Sequence, residues 1–254
     1  MKKCSNTNQI VCVGNISSIE TMGMHDGPGV RVVIFMQGCA LRCLYCHNPE
    51  TWNMQETKQQ YTPQELVQKI LRYQPYFQHN GGVTFSGGEP LLQAEFVYEC
   101  VKRLKKHHVH VALDTAGVGT LHEPLLALCD LIILDVKASE ETLYKTITGQ
   151  KSMQPFLQFV SKVQELNKPL WIRQVIVPKL NNSKHNIEHL AQFVNTLHNV
   201  QKVELLGYHT LGVDKYKQQN MAYPLQGTPS LEEKEKQELQ LYLQALLKNK
   251  KSAY

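Results

Sequence analysis

Cys39-Ala40-Leu41-Arg42-Cys43-Leu44-Tyr45-Cys46 places three cysteines within eight residues. Three thiolates can hold a cubane iron-sulfur cluster while leaving one iron without a protein ligand, whereas clusters that only carry electrons take four cysteines. An open iron is a place where a small molecule can bind. Zinc is the competing reading, because His47 directly follows Cys46, but structural zinc ligands usually come as two separated pairs rather than one crowded run. Three unrelated core cysteines are the remaining reading, and the spacing of four and three between Gly38 and His47-Asn48-Pro49 speaks against it.

Outward from this loop, extended apolar runs at 30–36, 83–85, 109–113, 131–136, 170–177 and 203–206 alternate with helix-like patterns. Such alternation predicts a parallel sheet. Thr62-Pro63-Gln64-Glu65 combines an N-cap, a proline at the first helical position and a capping glutamate. Ser230-Leu231-Glu232-Glu233 has the same form ahead of Leu239, Tyr242 and Leu243. Further helices follow from the apolar spacing around Phe96 and Leu104, Phe156 and Val163, and Ile187 and Val194. Six strands with their helices predict an α/β protein, a partial, open (β/α)6 barrel of the TIM type. With no repeat, low-complexity tract or linker, residues 1–254 read as one domain, with a polar extension at about 1–14 and a last helix at about 231–247.

The polar residues fall at one end of this expected barrel. The cysteine loop follows the first strand, Gly87-Gly88-Glu89 the second, and Asp114-Thr115 ends the third. Asp135 and Lys137 end the fourth, Arg173 lies in the fifth and His209 follows the sixth. Active sites of such barrels form at the carboxyl ends of the strands. Taken singly, Gly-Gly-Glu marks a turn, an aspartate caps a strand end, Tyr45 packs in its loop, and a lone Lys, Arg or His is structural or solvated.

Together with Asp26-Gly27-Pro28-Gly29-Val30-Arg31, Leu134-Asp135-Val136-Lys137, Trp171-Ile172-Arg173 and Tyr208-His209, the spacing C-x3-C-x2-C resembles the radical S-adenosylmethionine (SAM) superfamily, and within it the activases of glycyl radical enzymes. The resemblance runs from about Ile16 to Tyr242. It implies a 4Fe-4S cluster on Cys39, Cys43 and Cys46, and SAM contacts from Tyr45, Gly87, Gly88, Glu89, Asp135, Lys137, Arg173 and His209. It implies a monovalent cation, sodium or potassium, at Asp114, Thr115, Asp135 and the carbonyl of Ile133. Hard oxygen ligands of this kind could equally hold magnesium. Reductive cleavage of SAM would give a 5′-deoxyadenosyl radical that takes a hydrogen from a glycine of the partner, pyruvate formate-lyase or a related glycyl radical enzyme. Flavodoxin or ferredoxin is the implied electron donor, and the implied state is a monomer. The alternatives are an activase of another glycyl radical enzyme, a radical SAM enzyme acting on a small molecule or nucleotide, or a noncatalytic iron-sulfur carrier. Activases with an inserted ferredoxin-like module carry extra cysteines between the loop and Gly87, and residues 47–86 contain none.

Composition agrees with these expectations. The chain has 254 residues, 42% of them hydrophobic, enough for a substantial core. It lacks a long apolar run, and its start is polar, so the expected location is the cytoplasm, without a membrane. Seven cysteines is an odd number, and Cys4, Cys12, Cys100 and Cys129 are scattered, so reduced thiols are expected. The net charge of +5 is mild and implies no nucleic acid; the basic runs 102–110 and 248–251 read as solvated surface, with an acidic protein partner as the alternative.

Overall fold

The computed structural model describes residues 12–56 and 58–247; Cys4 and the basic run 248–251 lie outside them. The chain forms two compact units. One comprises the described residues up to Ala40 with Thr51–Ile133, the other Leu41–Glu50 with the described residues from Leu134 onward.

In the first unit, β1 (Gly14–Gly23) pairs antiparallel with β2 (Arg31–Met36) and with β3 (Gln59–Tyr61). Strand β2 lies parallel to β4 (Gly82–Gly87), and β4 parallel to β5 (His110–Thr115), giving the order β3-β1-β2-β4-β5. Its helices are α1 (Pro63–Leu71), α2 (Ala94–Lys105) and α3 (Glu123–Leu128). Strand β6 (Leu131–Asp135) carries the chain into the second unit. There β7 (Leu170–Ile176) and β8 (Val200–Gly207) run parallel, with helices α4 (Glu141–Thr148), α5 (Gln154–Glu165), α6 (Lys184–Asn195), α7 (Val213–Gln218) and α8 (Glu233–Leu246).

The six expected strands are β2 and β4 to β8. Four of the six residues of β2 are buried without a break, as are the first five of β4, which is why they read as apolar runs. Strands β1 and β3 escaped the sequence reading. A register shift between Ile16 and Ser18 breaks the alternation of β1, and β3 is three residues long with no buried side chain.

The capping box of α1 forms as expected, with Thr62 N donating to Glu65 Oε2 at 2.8 Å and Glu65 N donating to Thr62 Oγ1 at 3.3 Å. The second box does not. Helix α8 starts at Glu233 behind an N-cap Glu232 that makes no side-chain cap bond, because Leu231 is held earlier by the Tyr208 carbonyl, to which its amide donates at 2.8 Å.

Arg31 at the start of β2 is fully buried, and it explains part of the stretch 26–31. Its Nε donates to Thr84 Oγ1 at 2.6 Å, Nη1 to the Pro28 carbonyl at 2.9 Å and Nη2 to the Val83 carbonyl at 2.5 Å. Burial pulls its pKa down to about 10, against the pull of Asp26, so the group stays charged at neutral pH. His110 Nδ1, 3.2 Å from Nη2, must then be the acceptor. Arg31→Met leaves these buried oxygens without their donor and is expected to cost about 3 kcal/mol of stability. Chemical denaturation of the full chain measures it, and a loss below about 1 kcal/mol would contradict the role.

Candidate active site: the cysteine loop and its two supports

In the first unit the loop begins where β2 ends. Gly38 N donates to the Thr51 carbonyl at 2.6 Å and Cys39 N to that of Trp52 at 3.4 Å, which closes the base of the excursion. The Gly38 carbonyl accepts from Glu89 N at 2.8 Å, so the base also rests on the turn after β4. That turn needs glycine: a Cβ on Gly88 would lie 2.2 Å from the Gly38 oxygen.

Glu89 is fully buried. Its Oε1 accepts from Thr115 Oγ1 at 2.6 Å and Leu91 N at 3.0 Å, and its Oε2 accepts from Ala116 N at 2.9 Å. Burial pushes its pKa up to about 7, Asp114 adds to the rise, and the three donors oppose it. The carboxylate therefore ties the end of β4 to the end of β5, which leaves the backbone of Gly87-Gly88-Glu89 as the part of the motif that can meet a ligand. Thr115 Oγ1 donates to Glu89 and accepts from Gly117 N at 2.9 Å. Asp114 Oδ2 accepts from Ser86 Oγ at 2.8 Å, and Ile133 is fully buried within β6.

In the second unit the middle of the loop is held by α4. Arg42 N donates to the Thr148 carbonyl at 2.8 Å and Leu44 N to the Ile147 carbonyl at 3.0 Å. These are carbonyls of the last turn, which the helix cannot satisfy itself. Gly149, in the left-handed region at φ 70°, ends the helix there.

Cys43, Tyr45, Asp135 and Lys137 form one group. Lys137 Nζ lies 2.6 Å from Asp135 Oδ2 and 5.7 Å from the centre of the Tyr45 ring. Burial opposes the charge on Lys137, but Asp135, Tyr45 and Cys43 outweigh it and hold the ammonium protonated. Burial pushes the Cys43 thiol up to about 12, with Lys137 pulling the other way. A thiolate in that place needs further positive charge, which bound iron supplies. The buried Tyr45 hydroxyl has no hydrogen-bond partner, as expected of a group placed for a ligand. The donor set fits a cluster with a small molecule beside it.

The far side of the loop meets the stretch after β8. His47 stacks on His209 with ring centres 4.0 Å apart, and its Nε2 donates to the His209 carbonyl at 3.1 Å. Burial, then the His209 charge, lowers the His47 pKa and favours the neutral ring. Lys215 in α7 reaches Asn48 Oδ1 at 2.8 Å and Glu50 Oε1 at 2.7 Å. Arg173 is buried beside Glu204, 3.5 Å away, and its carbonyl accepts from Val136 N at 2.8 Å, which levels the middle of β7 with the end of β6.

Sequence reasoning named Cys39, Cys43, Tyr45, Cys46, Glu89, Asp135, Lys137 and His209, but it missed Thr148, Lys215 and Glu50, which hold the loop. No motif marks them, because helix-end carbonyls and a surface lysine have no signature of their own.

Residues 25–155 match the 4Fe-4S single cluster domain family. The chain is 48% identical over 237 residues to the pyruvate formate-lyase-activating enzyme of Clostridium pasteurianum, covering 92% of this chain and 99% of that one. It belongs to the pyruvate formate-lyase-activating enzyme family. A solved domain of the pyruvate-formate lyase-activating enzyme from Bacteroides vulgatus is 25% identical, with a TM-score of 0.55 over 68% of this chain and 98% of that one. A radical SAM methyltransferase from Sphaerobacter thermophilus, 15% identical, matches 88% of this chain and 66% of its own with a TM-score of 0.63. The expected α/β fold, a partial, open (β/α)6 barrel, is borne out by these likenesses.

Lys215→Ala removes both bonds to the loop of this family member. The variant is expected to bind a cluster but to lose its iron to a chelator several-fold faster, read from the decay of visible absorbance. An unchanged rate would mean that the His47–His209 stack alone holds that side.

Proposed function

We propose that this protein activates pyruvate formate-lyase by generating a glycyl radical on it, as a radical SAM enzyme carrying one 4Fe-4S cluster. The observation that carries this reading is the identity of 48% sustained over 99% of the length of a relative bearing that name. With cluster and SAM bound, one-electron cleavage of the sulfonium gives methionine and a 5′-deoxyadenosyl radical that removes a glycine α-hydrogen.

The chain's own residues bind, orient and exclude water. Cys39, Cys43 and Cys46 would hold the cluster. Tyr45, whose hydroxyl lacks an internal partner, meets the adenine side of SAM, and the backbone of Gly87-Gly88-Glu89 meets its amino group. Lys137, Arg173 and His209 serve the carboxylate and ribose. Asp135 keeps the Lys137 ammonium in place at 2.6 Å while offering its other oxygen to a sodium or potassium ion. Asp114, Thr115 and the Ile133 carbonyl would be further ligands of such an ion; the Thr115 hydroxyl keeps one lone pair. In this reading the two compact units act as a single radical SAM domain, as a monomer that takes electrons from flavodoxin or ferredoxin in the cytoplasm. Among the described residues no helix is long and apolar enough to cross a membrane.

The test is label transfer. Reduced, reconstituted protein is incubated with SAM and pyruvate formate-lyase deuterated at glycine Cα. Deuterium is expected in 5′-deoxyadenosine, and turnover of a small molecule with no transfer from any glycine would overturn the reading. Cys39→Ala, Cys43→Ala and Cys46→Ala are each expected to abolish SAM cleavage, while Cys100→Ala and Cys129→Ala retain it. Full cleavage by any one variant of the triplet would refute the cluster assignment.

Tyr45→Phe separates ligand binding from folding. Removing an unpartnered hydroxyl leaves stability unchanged, whereas loss of one hydrogen bond to SAM is expected to weaken its binding by about threefold to tenfold. Equilibrium dialysis with labelled SAM measures it, and unaltered affinity would assign Tyr45 to packing.

A further inference from the structure

We propose that Glu140, His185 and His189, all in the second unit, form a site for a divalent transition-metal ion of the zinc type. Each offers a ligand atom, and these atoms all lie within 4.8 Å of one another. His185 and His189 stand one turn apart on α6, with ring centres 4.2 Å apart. Glu140 precedes α4 as its N-cap, yet its side chain makes no cap hydrogen bond. The carboxylate turns instead to the imidazoles, with Oε1 3.2 Å from His189 Nδ1 and Oε2 3.8 Å from His185 Nε2.

Two imidazoles and a carboxylate suit zinc, nickel or copper rather than magnesium or calcium, which prefer oxygen throughout. Three protein ligands leave a coordination position for water, and the exposure of His185 gives the ion a way in. The neighbouring acids are otherwise engaged: Glu141 pairs with Lys145 at 2.9 Å, and Glu188 accepts from Tyr242 Oη at 2.5 Å. An ion here would join the start of α4 to α6, and α4 is the helix whose last carbonyls receive the amides of Arg42 and Leu44.

The cluster-loaded full chain, its iron content and visible absorbance monitored throughout, is dialysed anaerobically against zinc alone. Wild-type protein is expected to retain one zinc per chain more than a His185→Gln/His189→Gln double variant, and Glu140→Gln is expected to bind that zinc more weakly. Zinc is also expected to raise the thermal midpoint of the wild type but not of the double variant, because an ion that binds only the folded chain stabilises it. Since none of the three residues belongs to the SAM-cleaving machinery, retained cleavage by the variants reports that they fold. Equal zinc retention by wild type and double variant, or displacement of the wild-type zinc by excess magnesium, would overturn the proposal. So would a stability loss in the variants with no response to zinc in the wild type, which would reduce the cluster to carboxylate–imidazole ion pairs.

Discussion

The amides of Arg42 and Leu44 donate to the last carbonyls of α4, and the part of the cysteine loop in the second unit depends on this pair of bonds. A run from Cys39 to Cys46 has no regular secondary structure that would satisfy its own backbone. Helix α4 has the complementary defect, carbonyls in its last turn without intrahelical partners. Each removes the other's unmet polar groups. Gly149 makes this possible by turning the chain away at φ 70°, which leaves the Thr148 and Ile147 oxygens open to the loop.

Charge is arranged around that backbone so that burial is compensated. Cys43, Tyr45 and Lys137 are all largely removed from water, and an isolated buried charge would shift its pKa and neutralise. Asp135 prevents this for Lys137, and Lys137 in turn eases ionisation of the Cys43 thiol, which burial raises above its ordinary value. A cluster held at this loop would find one fixed cation beside Cys43, and its iron would supply the rest of the positive charge.

In the first unit the same economy of groups assigns Glu89 to support. Three donors converge on its carboxylate, from Thr115, Leu91 and Ala116. Its amide meanwhile fixes the Gly38 carbonyl at the base of the loop. The acidic residue of Gly-Gly-Glu therefore positions the backbone around it, and the two glycines provide the close approach that a side chain would block.

The sequence alone determined the parts whose physics is local or periodic. The cysteine spacing announced the metal chemistry, extended and largely apolar runs announced β2 and β4 to β8, and Thr62 with Glu65 announced the start of α1. Where a feature depends on partners far along the chain, the sequence was silent or misleading. Ser230 looked like a cap, but the Leu231 amide is drawn to Tyr208, and the helix begins at Glu233. Strand β1 was hidden because a bulge destroys its alternation, and β3 because an edge strand of three exposed or half-buried residues has no apolar signal. That His47 stacks on His209 and donates to its carbonyl, 162 residues away, could not be read from residue type. Tertiary structure alone decided which polar groups met a partner inside the fold, as Glu89 and Lys215 do, and which, like the Tyr45 hydroxyl, did not. Hydrogen bonds between distant segments are set by the path of the chain in space, and residue type does not encode that path.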